Sequence, residues 1–186
     1  MTLPPPVRAA RLSDAERIAE IYEPVVRSTA ISFETEPPQA DDMRRRMRET
    51  LPLYPWLAHD PGERVDGYGY AAAHHERPAY LWTVEVSLYV DAESRGAGVG
   101  RRIALGLLEV LRAQGFVNAI ASIALPNAAS VALFESLGFT PVGVDRAIGY
   151  KLGWWRDVGR WRCRLAEPRA DPAPPVPFER LVVEET

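Results

Sequence analysis

Apolar residues recur along this chain with two different periods, and the switches between them divide it into elements. Ile18, Ile21, Tyr22, Val25 and Val26 share one face of a 3.6-residue period and predict a helix running out near Ser28, with Ser13 and Glu16 at capping-box spacing at its start. Val7 to Arg11 precedes it as a short strand candidate. The segment Ile31 to Pro38 cannot continue a helix through two prolines and reads as an irregular connection into a second helix near Asp41 to Leu51. Trp56 to His59 and Val65 to His74 form a strand pair across the turn residues Asp60-Pro61-Gly62. From Tyr80 to Val90 the period becomes two: Trp82, Val84, Val86, Leu88 and Val90 lie on one side, Thr83, Glu85, Ser87 and Tyr89 on the other. Ile103, Leu107, Leu108 and Leu111 then mark another helix, which Gly115 is placed to end. Asn118 to Leu125 is a strand, and Asn127 caps a short helix that stops at Gly138. Phe139 to Val144 and Tyr150 to Leu152 add two strands, and a last one alternates Trp161, Cys163 and Leu165 with Arg160, Arg162 and Arg164. This order predicts an α/β (α+β) fold with a mixed central sheet of about six to seven strands flanked by helices on both faces. Residues 1–166 read as one domain, and 167–186, with five prolines and little periodicity, as a loosely held tail.

Composition narrows the role. A chain of 186 residues that is 47% hydrophobic buries a core of its own. A net charge of -3 gives no basic field for nucleic acid, so neither a nucleic-acid nor a membrane-surface role is favoured. The lone Cys163 and the three histidines, His59, His74 and His75, have no metal-ligand spacing, so no metal is expected. With no long apolar stretch and no leader pattern in the first six residues, a cytoplasmic protein is expected.

The chemistry concentrates in Arg95-Gly96-Ala97-Gly98-Val99-Gly100-Arg101, between a strand and a helix start. Free backbone N–H groups and the positive end of the helix dipole make such a turn an anion site, and glycines let a diphosphate approach the backbone. Arg95, Arg101 and Arg102 would strain the helix start electrostatically unless an anion binds there. An ordinary glycine-rich turn with surface arginines is the competing reading. Arg101 stands where a dinucleotide fingerprint needs its last glycine, and no Gly-Lys-Ser/Thr follows, so both rival phosphate motifs fail.

The loop resembles the Arg/Gln-x-x-Gly-x-Gly/Ala pyrophosphate motif of the GNAT acetyltransferases. Ile31 to Thr35, Tyr54-Pro55-Trp56, Arg77 to Tyr80, Trp82 to Glu85, Leu125-Pro126-Asn127, Gly149 to Gly153 and Asp157 to Gly159 extend the likeness to the phosphinothricin and methionine-sulfoximine acetyltransferases, over about residues 7 to 165. The resemblance implies acetyl-CoA as cosubstrate, with Leu88, Tyr89 and Val90 offering backbone groups to the pantetheine arm, Arg95, Gly96, Ala97, Gly98, Val99, Gly100 and Arg101 holding the pyrophosphate, and Asn127 and Ser130 contacting the cofactor. Asn127 also suits a plain helix cap. It further implies a small amino-acid-like amine as acceptor and a homodimer, to which the aromatic stretch Gly153-Trp154-Trp155 would contribute apolar surface.

Roughly a tenth of an α-amino group is neutral at pH 7, so a base that removes its proton helps by about 10² to 10⁴. Glu85, on the polar face of the strand leading to the loop, matches the glutamate assigned as base in the resembled enzymes; a structural salt-bridge role is the alternative. Many relatives place a tyrosine or histidine proton donor in the last helix, where this chain reads Leu133-Phe134-Glu135; Phe134 cannot donate a proton. Phe33 and Glu34 match residues lining the acceptor site, Glu34 suiting an ammonium, and Arg77 suits a carboxylate through a forked pair of bonds. Relatives usually carry Arg-x-Arg before Pro-Ala-Tyr; here His75-Glu76-Arg77 leaves one arginine, and His75 either makes a single hydrogen bond or sits idle on the surface. Other acceptors, such as a protein N-terminus, a polyamine or an antibiotic, and a non-catalytic acetyl-CoA-binding module stay open.

Overall fold

The computed structural model describes residues 3–181. Its backbone is a seven-stranded sheet in the order β1-β2-β3-β4-β5-β7-β6, where β1 is Val7–Ala9, β2 Trp56–His59, β3 Gly67–Ala73, β4 Thr83–Val90, β5 Asn118–Leu125, β6 Thr140–Lys151 and β7 Trp154–Arg164. The helices are α1 (Ala15–Ser28), α2 (Ala40–Thr50), α3 (Val99–Gln114) and α4 (Ala128–Ser136). Neighbouring strands are antiparallel except β4 and β5. A parallel pair needs a long crossover, and α3 supplies it.

Strand alternation splits the core into two layers. Trp56, Ala58 and Tyr68 face α1 and α2, joining Ile18, Tyr22, Val25, Met43 and Met47. Leu57, between Trp56 and Ala58, points the other way and packs with Val7, Val99, Ile103 and Leu107 under α3. Farther along the same face, Val84, Val86, Ala121 and Trp161 pack with Leu108, Leu111 and Phe134. A Cβ on Gly69 would lie 2.7 Å from Ile103 Cγ2 and 3.0 Å from Leu107 Cδ1. The missing side chain is what lets α3 press onto β3.

Several boundaries differ from those expected. A 3-10 turn at Leu12–Asp14 precedes α1, and Asp14, not Ser13, supplies the local bond, its carboxylate accepting from the Arg11 backbone N–H at 2.7 Å. The strand expected from Tyr80 starts at Thr83, because Pro78–Tyr80 form another 3-10 turn. The two strands expected between Phe139 and Leu152 are one, β6, whose pairing with β7 shifts register between Pro141 and Gly143 and again between Asp145 and Gly149. Those irregularities break the period of two that a sequence reading needs.

The tail expected to be loose is docked as far as Leu181. Phe178 is buried beside Leu3, Val7 and Val110. Gln114, 1% exposed, donates from Nε2 to the carbonyls of Leu53 and Val176 at 2.8 Å each, and Trp82 Nε1 donates to the Ala173 carbonyl at 2.9 Å. Prolines cost the segment little order on docking, since their φ is already fixed. The closing glutamates, Glu184 and Glu185, lie outside the described residues.

Candidate active site

The site starts from an interruption in the sheet. The parallel ladder joins Thr83 to Asn118, Val84 to Ala119 and Glu85 to Ile120, and there it ends, although β4 continues to Val90 and β5 to Leu125. Past Glu85 the two strands diverge and leave a wedge edged by backbone N–H and C=O groups. The wedge opens into a cleft of about 560 Å³, lined by Leu88, Tyr89, Val90, Arg95, Gly96, Gly98, Val99, Gly100, Arg101, Asn127 and Ser130 among others.

At the far end of that cleft is the glycine loop. Gly96 and Gly98 both have φ +81°, a left-handed conformation that side chains disfavour. Gly98 is the N-cap of α3 and brings no side chain to cap it, so the first N–H groups of a 16-residue helix face the cleft with the helix dipole behind them. Arg102 folds back to bond the Ala97 carbonyl at 3.0 Å, Arg101 reaches Ser136 Oγ at 3.0 Å, and Arg95 Nε donates to the Val90 carbonyl at 3.4 Å, so all three arginines also brace the loop. Ala97 is not part of the lining and serves through its carbonyl. Across the cleft Asn127 caps α4, its Oδ1 accepting from the Ser130 backbone N–H at 3.1 Å; the cap is real, and both residues still line the cleft. The cavity therefore fits a long ligand with amides at one end and a diphosphate at the other, which are the features of CoA. Val25, Ile31, Ser94, Ala129 and Leu133 complete the lining and are not expected from sequence.

Phe134 does not reach this cleft. It is buried, in edge-to-face contact with Phe139 at a centroid distance of 4.9 Å, and belongs to the core under α3. Its neighbour Glu135 accepts from Trp161 Nε1 at 3.1 Å.

Glu85 sits where the strands part, on the sheet face opposite Val84 and Val86. Its carboxylate is about one-third exposed and bonded to His74 Nδ1 at 3.0 Å. His74, which the sequence did not single out, is the histidine that reaches it. His75 instead accepts from the Arg77 backbone N–H at 3.1 Å and shapes the exposed turn that carries Arg77. The Arg77 guanidinium has no ion-pair partner among the described residues.

Glu34 differs from expectation. Its two oxygens are held by Arg46 at 2.8 and 2.9 Å, and Tyr22 adds a third bond at 3.0 Å. The Arg46 bond is the largest reason its carboxyl lies below the usual range, and Tyr22, buried among these groups, is pushed up to about 12. A carboxylate so engaged braces the loop and is not a free seat for an ammonium. The brace continues through Ser32, whose Oγ is 2.6 Å from Tyr22 Oη, to Lys151, which is 6% exposed and donates to the carbonyls of Val26 and Ser32. Burial lowers the Lys151 ammonium, with Glu34 opposing. Phe33 lies against Gly149, where a Cβ would approach its ring to 2.1 Å. Sequence order hides this assembly, since Lys151 and Arg46 come from distant elements. The resemblance pointed to Phe33 and Glu34 but not to what holds them.

Among the described residues, no group of three or more His, Cys, Asp or Glu could hold a metal ion, and no helix is long and apolar enough to cross a membrane.

Residues 7–158 match the acetyltransferase (GNAT) domain family. The chain is 36% identical over 178 residues to the phosphinothricin N-acetyltransferase of Streptomyces viridochromogenes, covering 96% of this chain and 97% of that one. It is 32% identical to an L-methionine sulfoximine/L-methionine sulfone acetyltransferase of Salmonella typhimurium, covering 90% and 98%. The crystal structure of a GNAT superfamily phosphinothricin acetyltransferase from Sinorhizobium meliloti in complex with AcCoA superposes with a TM-score of 0.85 at 32% identity, covering 92% of this chain and 97% of that one. Together with the uncapped glycine loop and the parted strands, these likenesses make the chain a member of the GNAT family of acetyltransferases.

Proposed function

We propose that this protein transfers the acetyl group of acetyl-CoA directly to the amino group of a small amino-acid-like molecule. The observation that carries the reading is the position of Glu85, at the point where β4 and β5 diverge and a cleft leads away to the glycine loop. Bound acetyl-CoA supplies an electrophilic thioester carbonyl. Backbone groups of Leu88, Tyr89 and Val90 hold its amide-bearing arm, the N–H groups from Gly98 onward hold its diphosphate with Arg95 beside them, and Asn127 and Ser130 close the opposite wall. Glu85 takes the proton of the acceptor ammonium, so that the neutral amine attacks. The departing thiolate needs no dedicated acid, because thiols ionise near 8.5 and water can return the proton; Phe134 is accordingly free to serve the core.

The acceptor enters from the side of the Phe33 loop, and Arg77 meets its carboxylate. With one arginine in the turn and Arg46 already neutralised by Glu34, the site favours a neutral side chain over the doubly charged phosphinothricin. The relatives named for methionine sulfoximine and methionine sulfone are consistent with that preference. Calorimetry with acetyl-CoA and a CoA-release assay with L-methionine sulfone, phosphinothricin, a polyamine and a peptide test the whole reading. Acetyl-CoA binds, methionine sulfone turns over fastest, and Glu85→Gln lowers turnover about 10² to 10⁴-fold while leaving acetyl-CoA affinity nearly unchanged. No heat of binding, or an unaltered Glu85→Gln enzyme, defeats it.

The protein is further proposed to work as a homodimer through β6 and β7. β6 is the sheet's edge strand, and Val142, Ile148, Tyr150, Trp154 and Trp155 are each about 60–70% exposed there. An uncovered apolar edge of this kind invites a second copy. Light scattering gives twice the chain mass, and replacing both tryptophans by serine gives a monomer; a monomeric parent refutes the assembly.

A further inference from the structure

The geometry assigns His74 a part in the reaction: we infer that it is the positioning residue for Glu85, donating Nδ1–H to one carboxylate oxygen and so leaving the other aimed at the acceptor amine. The inference rests on the reading of Glu85 as the base.

Sheet register places the pair. Ala72 stands opposite Glu85, and His74, two residues farther along, shares that face as the diagonal neighbour across the hairpin. Its backbone N–H donates to the Thr83 carbonyl at 3.4 Å, which continues the β3–β4 ladder by one bond and sets the direction of the side chain. The imidazole is about one-fifth exposed, with the Tyr80 ring edge-on at 5.7 Å; the His75 ring lies 4.9 Å from that of Tyr80. Nδ1 is 3.0 Å from Glu85 Oε1, and a carboxylate there requires the ring nitrogen to be the donor. A glutamate has three side-chain torsions to fix before it can meet a substrate, and misplacement of a reacting group by about 1 Å costs on the order of 10² in rate.

The test measures kcat and KM at saturating acetyl-CoA with L-methionine sulfone for the parent, His74→Phe, His74→Gln and Glu85→Gln, with circular dichroism and acetyl-CoA affinity as folding controls. His74→Phe, which removes the donor, loses about 10- to 100-fold in kcat; His74→Gln, whose amide still donates, rescues it to within about threefold of the parent. A parent-like kcat in His74→Phe, or equal losses in both His74 variants, overturns the assignment while Glu85→Gln remains crippled. If Glu85→Gln turns over like the parent, the base itself is misassigned and the role of His74 falls with it.

Discussion

Glu34 shows how much a single residue's role depends on what the fold brings to it. Its sequence context offers a carboxylate for a substrate ammonium, yet Arg46 occupies both oxygens, so the group holds a loop in shape. Because that bond keeps the folded carboxyl below its unfolded value of about 4.3, the pair adds stability above that pH and loses it as acid protonates the folded carboxyl. Arg46→Met therefore lowers unfolding free energy at neutral pH by no more than about 1 kcal/mol, the two side chains being over one-third exposed, and the gap to the parent closes toward pH 3. Urea unfolding at both pH values decides it: a gap that persists in acid removes the charge from the explanation. The same contrast runs through the rest of the site. Gly98 and Asn127 are legible because a turn and a cap are settled by their immediate neighbours. Glu85 stands out only by strand alternation joined to a family likeness. His74 and Arg46 were illegible, since each finds its partner through a strand register or a helix-to-loop contact that adjacent residues do not encode.

At the level of elements, strict periods could be read and interrupted ones could not. β4, β5 and α3 keep their alternation or helical stripe throughout and were placed within about three residues. β6 reads as two strands because its bulges reset the period, and the docking of the tail is hidden because a proline-rich segment held by the Val176 and Phe178 backbone N–H groups on the Gln114 and Leu53 carbonyls has no hydrophobic rhythm. Gly69 is the converse case, a residue whose meaning is a contact between elements. Its Cβ would meet Ile103, Leu107 and the Ser87 carbonyl within 3.1 Å, so Gly69→Ala costs about 1–3 kcal/mol by lifting α3 off β3. Gly143, with nothing within 4 Å of a built Cβ, tolerates alanine to within about 0.5 kcal/mol. Thermal melts of the two variants that coincide would remove the close-packing account.

On the scale of the whole molecule, the sheet is two half-sheets, β1 to β4 and β5 to β7, whose direct ladder is three residue pairs long. Much else that joins them passes through α3 and the core beneath it. In the proposed binding mode, acetyl-CoA lying in the wedge would supply hydrogen-bonding partners to both free borders at once and work as a temporary extra strand. Hydrogen–deuterium exchange then slows on both sides of the gap, at residues 86–90 and 121–125, when acetyl-CoA is added, and folding stability rises by about 2.7 kcal/mol at a ligand concentration one hundred times Kd. Protection confined to the glycine loop would show that the halves are not stitched in this way. If both borders respond, the enzyme is mechanically most coherent only while loaded, and each turnover that releases CoA briefly unfastens the seam along which the next acetyl donor must slide.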